Sequence, residues 1–528
     1  MMGAAGQLAL ALNRLHGLPE LAGRLGAPLA EADLVAVLEE ASRFAEERIA
    51  PGRREADRAG CVLENGVVRV PPHYAGLLRE WQAAGWQGVA APVEHGGQGL
   101  PHAVWAAVFE LVSSADMGFG LMPMLTAGAV ELLAHHASAD QAARFLPPLI
   151  AAEWNGTMGL TEPQAGSDLS AVRTRAVPDG AGGFRITGGK IFITWGENDI
   201  AANTLHLVLA RLPDAPAGSR GISLFAVPKV LADGRRNGVR CGGIEEKAGI
   251  HASPTCTMIF EEAEGELVGE PHRGLPVMFA MMNAARLAVG VEGVGQCARA
   301  TALAEAYAAG REQGGRAIAA YPDVARMLGE MRAVTAAARL IALDCAVSLD
   351  RARAGESGAE ARLALLTPVC KAWCTDRAVE VASLGIQVHG GAGYVEETGA
   401  AQVWRDARIA PIYEGTNGIQ AMDLVLRKLP RDLPAFRALA AEAGAADAAL
   451  RGPAEALAEA ASHLAFAPPE VAGAGAVPFL DAAGWVLGGA WLARAAVVEP
   501  ALAEEAGFFL RRLLPRAKAR LEEALAPA

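Results

Sequence analysis

The sequence lacks the features of an exported, disulfide-stapled or broadly nucleic-acid-binding protein. Its seven cysteines are scattered and odd in number, which favours free thiols in a reducing compartment. Acidic residues exceed basic ones, 59 to 47, so the formal charge of −12 would repel a polyanion overall. No basic segment precedes the short apolar run Leu8–Leu10, and we therefore expect no cleaved export signal and a cytoplasmic location.

We also find no uninterrupted apolar stretch of about eighteen residues, the length that a membrane-spanning helix needs, and therefore expect no membrane span. A metal centre is not expected either. Cys370 and Cys374 could share one helix face, but no nearby His or Cys completes a zinc-ligand set. The pair His135-His136 has no metal-ligating neighbour.

What the chain does have is length and apolar content. With 528 residues it predicts three or four domains, and 52% hydrophobic against 20% charged residues predicts large cores rather than disorder. Changes in residue texture divide it into an N-terminal lead (1–32), an N-terminal helical domain (33–154), a middle β domain (155–272), a C-terminal helical bundle (273–430) and a helical extension (431–528).

Hydrophobic periodicity supports this division. Leu34, Leu38, Ala41, Ala45 and Ile49 recur on one face of a helix that Pro51 would end. Long apolar runs predict helices at 275–311, 322–353, 363–388 and 416–429. The extension is also helical in pattern, with a predicted break around 467–478.

The middle third changes to short β-like runs. Residues 184–187 and 190–194 flank Gly188-Gly189, which predicts a β-hairpin. Because the β segment lies between helical segments instead of alternating with them, a doubly wound sheet is disfavoured. The predicted fold class is multidomain α+β: a helical domain, a β-barrel or sandwich, a four-helix bundle and a helical extension.

Three segments could hold a ligand, although each alone has an ordinary structural explanation. Residues 161–168 form a polar turn that could bind a phosphate or a heterocycle edge, or could merely satisfy its own backbone. Residues 190–196 could present a flat face to a planar cofactor, or could be a buried strand end. Residues 387–394 form a glycine cluster that admits close approach of a ligand or ends a helix.

A fourth segment, residues 412–420, contains a candidate base. Glu414 lies between an apolar segment and a helix start, with Thr416 or Asn417 as the predicted N-cap. A carboxylate beside apolar residues becomes a general base when water is excluded, whereas most glutamates are exposed loop residues. The glycines at 290, 293 and 295 resemble a reversed dinucleotide motif, but no strand precedes them.

Taken together and in this order, the four segments resemble the acyl-CoA dehydrogenase family over about residues 33–430. The resemblance is closer still to the branch of larger bacterial enzymes that includes 3-methylmercaptopropionyl-CoA dehydrogenase. Segments typical of that branch lie at 94–101, 281–286 and 413–420, together with a helical extension that ends near residues 513–515. The implied fold is helical, β and helical-bundle in order, and the implied cofactor is FAD.

The resemblance also implies site residues. Those implied to contact FAD are Met158, Leu160, Thr161, Ser167, Phe192, Thr194, Arg311, Gln387, Gly390, Gly391 and Thr416. Among them, Thr161 would hydrogen-bond the flavin ring and Ser167 would reach the pyrophosphate, while Arg311 and the 387–391 segment would contact the FAD of a neighbouring subunit. Glu414 matches the catalytic base, and Arg286 matches a residue near the acyl-CoA.

The implied reaction is α,β-dehydrogenation of an acyl-CoA thioester to a trans-2-enoyl-CoA. Glu414 would take the α-proton while a hydride passes from Cβ to flavin N5. The thioester carbonyl would be polarised by the backbone N–H of Glu414 and a flavin ribityl hydroxyl. Electron-transfer flavoprotein or a similar acceptor would reoxidise the FAD, and the shared FAD sites imply a homodimer or homotetramer.

Two other functions on the same fold stay open at this point. One is a non-catalytic or DNA-associated FAD-binding relative, which the acidic charge balance and the intact Glu414 oppose. The other is an acyl-CoA oxidase, which peroxide formation in air would distinguish.

The sequence departs from the family at Gly314, where an aromatic residue is common. Some relatives carry the base on another helix, where this chain has Ala284 and Ala285, which supports Glu414.

Overall fold

The computed structural model describes residues 3–526, which fall into two compact units. The β unit contains residues 48–100 and 116–285. The helical unit contains the remaining described residues, 3–47, 101–115 and 286–526.

Helices make up most of the structure. In chain order they are α1 (Ala4–Leu10), α2 (Leu18–Arg24), α3 (Glu31–Phe44), α4 (Arg53–Ala59), α5 (Tyr74–Ala84), α6 (His102–Ala115), α7 (Met117–His136), α8 (Ala139–Ile150), α9 (Gly274–Gly310), α10 (Pro322–Arg353), α11 (Ala359–His389), α12 (Gly391–Tyr394), α13 (Ala400–Ala407), α14 (Asn417–Asp423), α15 (Leu429–Gly444), α16 (Arg451–Phe466), α17 (Pro469–Val498), α18 (Ala503–Phe508) and α19 (Pro515–Ala524).

The strands, with one exception, belong to the β unit. They are β1 (Val62–Glu64), β2 (Val67–Arg69), β3 (Trp154–Gly159), β4 (Arg175–Pro178), β5 (Phe184–Thr194), β6 (Asn203–Arg211), β7 (Ile222–Pro228), β8 (Val239–Ile244), β9 (Thr255–Val268), β10 (Glu312–Gln313) and β11 (Arg316–Ala317). The exception is the short hairpin of β10 and β11, which follows α9 in the helical unit.

Seven of these strands form one sheet around which the β unit is built. The pairing β6–β4–β5–β9–β7 returns to β6, so these five strands form a closed circuit, while β3 extends from β6 and β8 pairs with β9. The pairs β3–β6 and β4–β6 are parallel and the others are antiparallel. β6 and β7 are buried along nearly their whole length, which explains their continuous apolar sequences.

The predicted hairpin at Gly188-Gly189 is wrong, because β5 runs unbroken through both glycines. Its pairing with β9 shifts register between Ile186 and Gly188, as it does at a β-bulge. A Cβ at position 188 would lie 2.5 Å from the Thr174 hydroxyl. The glycine therefore allows a neighbouring segment to approach closely, instead of turning the chain.

The helical unit has a core of long, alanine-rich helices. α10 and α11 pack along each other, α6 and α17 pack against α10, and α17 also contacts α11, α16 and α19. The predicted break around 467–478 is confirmed only at residues 467–468, which separate α16 from α17, because α17 begins at Pro469 and continues through Pro478. Proline suits the first turn of a helix, and one missing N–H inside a buried 30-residue helix does not end it.

Among residues 3–526, the helices α7, α9 and α17 are long and apolar enough, by length and composition, to cross a membrane. The expectation from the sequence concerned an unbroken apolar run, which these helices lack, whereas alanine, glycine and a few polar residues still leave a high average hydropathy. Between 61% and 83% of the residues in each apolar window are buried inside the protein. A helix that is apolar on all sides suits either a protein core or a bilayer.

Candidate active site

Glu414 lies in a tight turn between α13 and α14 of the helical unit. Its backbone is left-handed, with φ +56°, and Gly415 follows at φ +81°. Thr416 caps α14, since its hydroxyl accepts a hydrogen bond from the Ile419 N–H at 3.3 Å, as predicted for this segment. A left-handed conformation is costly for glutamate, and such strain persists where the surroundings impose it, often at functional sites.

The electrostatic surroundings of Glu414 suit a base. Burial raises the pKa of Glu414 to about 7, and the positive charges of Arg286 and Lys371 only partly oppose that rise. A carboxyl group with a pKa near neutrality is a much stronger base than an exposed glutamate, and it is still ionised in a large fraction of molecules.

Arg286, the predicted acyl-CoA contact, lies beside this turn. It is buried on α9, and its Nη2 lies 3.9 Å from the point where a Cβ at position 415 would be. Burial lowers the pKa of Arg286, while Asp423 and Glu414 oppose that change. A guanidinium keeps its charge at any physiological pH, so Arg286 supplies a fixed positive charge beside the carboxylate.

Lys371 is a charged residue of this site that the sequence did not reveal. It is fully buried on α11, and its Nζ donates a hydrogen bond to Asn417 Oδ1 at 2.8 Å. Burial lowers the pKa of Lys371 to about 7, against the effects of Glu414 and Asp376. The available signal was a lysine in the otherwise apolar stretch 369–374, where a charge needs a partner.

Asn417 connects Lys371 to the carboxylate of Asp376, which also lies on α11. Its Nδ2 donates to Asp376 Oδ1 at 2.8 Å and to the Ala372 carbonyl at 3.0 Å. The first residue of α14 is therefore tied to α11, and the turn that carries Glu414 is anchored on its C-terminal side.

The N-terminal side of the turn is anchored by a second buried carboxylate, Glu292 on α9. The Tyr413 hydroxyl donates a hydrogen bond to Glu292 Oε2. Burial raises the pKa of Glu292 to about 8, although the Tyr413 hydrogen bond lowers it. The sequence did not reveal Glu292, because it lies among the glycines at 290, 293 and 295, which were considered only as a reversed dinucleotide motif.

In the β unit, the structure brings residues of the two predicted flavin segments together. The Ile191 N–H donates to the Thr161 carbonyl at 2.9 Å, so residues 160–162 run beside β5. The Lys190 ammonium donates to the Leu160 carbonyl at 3.0 Å and to Glu162 Oε1 at 2.7 Å. Two segments separated by about thirty residues in sequence therefore lie side by side and are joined by hydrogen bonds.

Glu162 organises the turn that follows. Its carboxylate accepts hydrogen bonds from the Arg173 N–H at 2.8 Å, the Thr174 N–H at 3.1 Å and the Thr174 hydroxyl at 2.6 Å. Burial alone would raise the pKa of Glu162, but Lys190 and Thr174 lower it to about 2. The turn at 163–172 is thus closed by a charged and fully hydrogen-bonded group.

The predicted flavin contacts differ in exposure. Phe192 is 60% exposed and has φ +58°, so an aromatic ring stands out near the C-terminal end of β5. Met158, Thr161 and Thr194 are half-buried, Leu160 is buried, and Ser167 is exposed in the turn closed by Glu162. An exposed ring, apolar side chains and hydroxyl groups together suit a flat heterocycle with polar edges.

The other predicted cofactor contacts lie in the helical unit and, except for Thr416, which caps α14 beside Glu414, they are distant from the Glu414 turn in sequence. Gln387 is exposed in the last turn of α11, and Gly390 ends that helix with φ +61°. A Cβ at Gly390 or Gly391 would meet no atom within 4 Å. Arg311 is exposed after α9, where its carbonyl accepts from the Ile318 N–H at 2.8 Å. These groups are accessible to a polar ligand.

Among residues 3–526, no group of three or more His, Cys, Asp or Glu side chains could hold a metal ion.

Comparison with known proteins identifies the family of the chain. Family models for the N-terminal, middle and C-terminal domains of acyl-CoA dehydrogenases match residues 31–153, 157–263 and 272–429. The 3-methylmercaptopropionyl-CoA dehydrogenase of Ruegeria pomeroyi is 48% identical over 497 residues, which cover 86% of this chain and 84% of that relative.

Solved structures share the fold. An acyl-CoA dehydrogenase from Bacillus anthracis complexed with FAD has a TM-score of 0.76 at 21% identity, over 93% of this chain and 88% of that one. ACDH-11 of Caenorhabditis elegans in complex with C11-CoA has a TM-score of 0.79 at 23% identity, over 96% and 89% of the two chains. The predicted order of helical, β and helical domains is confirmed.

Proposed function

The chain belongs to the acyl-CoA dehydrogenase family, an FAD-dependent oxidoreductase family that dehydrogenates acyl-CoA thioesters, and we propose that Glu414 is its catalytic base. The observation that carries the assignment is the strained turn that presents Glu414 beside Arg286, with its pKa raised to about 7. An α-proton next to a thioester is weakly acidic, so its removal needs a carboxylate of raised basicity.

The enolate that forms as the proton leaves must also be stabilised. We assign this to the backbone N–H of Glu414, which donates to the thioester carbonyl oxygen and thereby polarises it. The Tyr413–Glu292 and Asn417–Lys371 hydrogen bonds anchor the turn on both sides, and they thereby hold the backbone of Glu414, which carries both the N–H and the carboxylate side chain. When bound, FAD supplies the acceptor, at its N5, for the hydride that leaves Cβ.

For FAD itself, we infer that residues 158–161 and the C-terminal end of β5 hold the isoalloxazine ring. Phe192 and Met158 offer apolar surface, Thr161 and Thr194 offer hydroxyl groups, and Ser167 lies in the neighbouring turn for the pyrophosphate. The exposed groups of the helical unit, Arg311, Gln387, Gly390 and Gly391, would contact the FAD of a second subunit, and Thr416 would lie near its adenine half. This arrangement requires a homodimer or homotetramer.

Further parts of the proposal rest on the family. The middle strands would form a small barrel and the long C-terminal helices a four-helix bundle, with domain boundaries at 33–154, 155–272, 273–430 and 431–528. Electron-transfer flavoprotein or a similar protein would reoxidise the FAD in the cytoplasm. The 48% identity to a 3-methylmercaptopropionyl-CoA dehydrogenase makes that thioester the first to test, beside straight-chain acyl-CoA of increasing length.

The assignment of the base is tested by Glu414→Gln. The purified, FAD-loaded variant is mixed anaerobically with acyl-CoA, and the loss of flavin absorbance is followed by stopped flow. Loss of a general base predicts a rate about 10²–10⁴-fold lower. Glu455→Gln, at an exposed position on α16, should react at the wild-type rate.

If Glu414→Gln reacts as fast as the parent, another group takes the proton. Peroxide is measured during turnover in air, and its stoichiometric formation would identify an oxidase. A purified protein that neither contains nor accepts FAD would refute the function as a whole.

A further inference from the structure

A small cavity lined mainly by charged side chains lies in the helical unit. It is about 50 Å³ in volume. The residues around it come from the N-terminal lead, from α10 and α11, and from α15 and α17 of the extension. They are Leu15, His16, Leu340, Asp344, Arg351, Arg362, Glu442, Trp491 and Arg494.

Arg362 is the central cation of this cavity. Its Nη1 donates to Glu442 at 2.7 Å and its Nη2 donates to Asp344 at 2.8 Å. Arg494 also donates to Glu442. Both guanidinium groups lie near the indole of Trp491, with their carbon atoms 5.3 and 5.1 Å from the ring centre.

Three residues that line the cavity each have a buried nitrogen atom with no hydrogen-bond partner among the described residues: Trp491 Nε1, Arg362 Nε and His16 Nε2. Trp491 is only 5% exposed, so solvent does not replace the missing partner freely. An indole and a guanidinium are donors only. Leaving a buried donor unpaired costs stability, and such convergent groups indicate an acceptor that sits between them.

The charge of the cavity has a definite sign. Arg351, Arg362 and Arg494 are positive, while Asp344 and Glu442 are negative. Burial lowers the pKa of His16 to about 4, so His16 is neutral near pH 7. The lining side chains therefore carry one net positive charge, part of which Glu356 offsets, because its carboxylate lies 4.0 Å from Arg351. The unpaired groups include two that can only donate. A single small anion satisfies both conditions, whereas a second cation or an apolar group satisfies neither.

We propose that this cavity is a binding site for a small oxyanion, a phosphate or a carboxylate, which accepts hydrogen bonds from Trp491 Nε1 and Arg362 Nε. The volume suits an ion of this size, since one water needs about 10–15 Å³ on the same measure. Because the walls belong to the N-terminal lead, the long helices and the extension, the anion links these three parts. Its binding raises the stability of the folded chain.

The test uses the FAD-loaded, full-length protein. Sodium phosphate and sodium acetate are titrated separately by isothermal calorimetry near pH 7, with sodium chloride keeping the ionic strength constant, and melting temperatures are recorded in parallel. We expect saturable binding at one site per chain and a rise in melting temperature for at least one ion. Tighter binding of phosphate or of acetate distinguishes a tetrahedral from a planar ligand.

Trp491→Phe removes the indole N–H and keeps an aromatic ring beside the guanidinium groups of Arg362 and Arg494. Losing one hydrogen bond to a charged acceptor predicts affinity about tenfold weaker or more. Trp404→Phe, at a tryptophan on α13 that is 41% exposed, should bind as the parent does. Arg494→Gln removes one positive charge at the cavity edge and should weaken binding severalfold, which serves if Trp491→Phe fails to fold.

Two results would overturn the proposal. One is the absence of saturable binding of either ion, in which case the cavity holds water alone. The other is binding that Trp491→Phe and Arg494→Gln leave unchanged, which would place the ion elsewhere, for example where the phosphates of acyl-CoA bind. Neither result bears on the assignment of Glu414.

Discussion

Two carboxylates with lysine neighbours, Glu162 in the β unit and Glu414 in the helical unit, behave in opposite ways. The pKa of Glu162 is lowered to about 2 and that of Glu414 is raised to about 7. In both cases burial favours the neutral acid. The difference comes first from the positive charge of Lys190, whose ammonium lies 2.7 Å from the Glu162 carboxylate, and then from hydrogen bonds, because Glu162 also accepts from two backbone N–H groups and from a hydroxyl.

Glu414 is compensated differently. Lys371 directs its ammonium to Asn417, and Arg286 has Asp423 as well as Glu414 among the charges that act on it. The two cations therefore lower the pKa of Glu414 through their charge but do not cancel the effect of burial. A carboxylate that is fully hydrogen-bonded holds structure in place, whereas one that is under-compensated is available to take a proton.

The largest expected effect on this contrast comes from Lys190→Met. Removing one partner of a buried ion pair leaves the other charge unpaired and costs about 3–5 kcal/mol. The free energy of unfolding in urea measures the loss. Arg240→Met breaks an exposed pair with Glu261, whose side chains are 52% and 61% exposed, and should cost less than about 1 kcal/mol.

A double variant sharpens this test. Glu162→Gln combined with Lys190→Met removes both charges and should recover part of the lost stability. If Lys190→Met is no more harmful than Arg240→Met, the Glu162–Lys190 pair does not hold the flavin segments together.

A smaller effect of opposite sign is expected from Glu414→Gln. The folded-state pKa of about 7 lies above the ordinary value of 4.5, so ionisation of Glu414 costs stability as the pH rises through this window. At pH 8 the variant should be more stable than the parent, by on the order of 1–3 kcal/mol. At pH 4 the difference should vanish. Thermal unfolding at both pH values measures it, and a less stable variant at pH 8 would contradict it.

The smallest effect is a displaced pH profile. The rate of anaerobic flavin bleaching should rise with pH and level off above about 7, because Glu414 must be ionised to act. Lys371→Met removes a cation that lowers the pKa of Glu414, so the profile should move to higher pH. Lys518→Met, at an exposed position, should leave it in place. A profile that moves to lower pH would show that Lys371 does not act on Glu414 electrostatically.

Much of the fold could be predicted because it depends on local pattern. The period of Leu34, Leu38 and Ala41 specified α3, and the runs at 275–311 and 322–353 became α9 and α10 almost residue for residue. The errors at Gly188-Gly189 and near Pro478 have a common cause. Both were read as local turn signals, but a close neighbour decided the first and burial in a long helix decided the second.

By itself, the sequence determined the order of domains, the family and the candidate base, since these follow from periodicity and from short motifs whose residues are contiguous. Only the tertiary structure decided which charges act on that base. Glu292, Lys371 and Glu414 are far apart in the chain, and the desolvation that moves their pKa values depends on the packing of α9, α11 and the 412–416 turn. The same holds for the cavity at Trp491, whose donors come from separate helices.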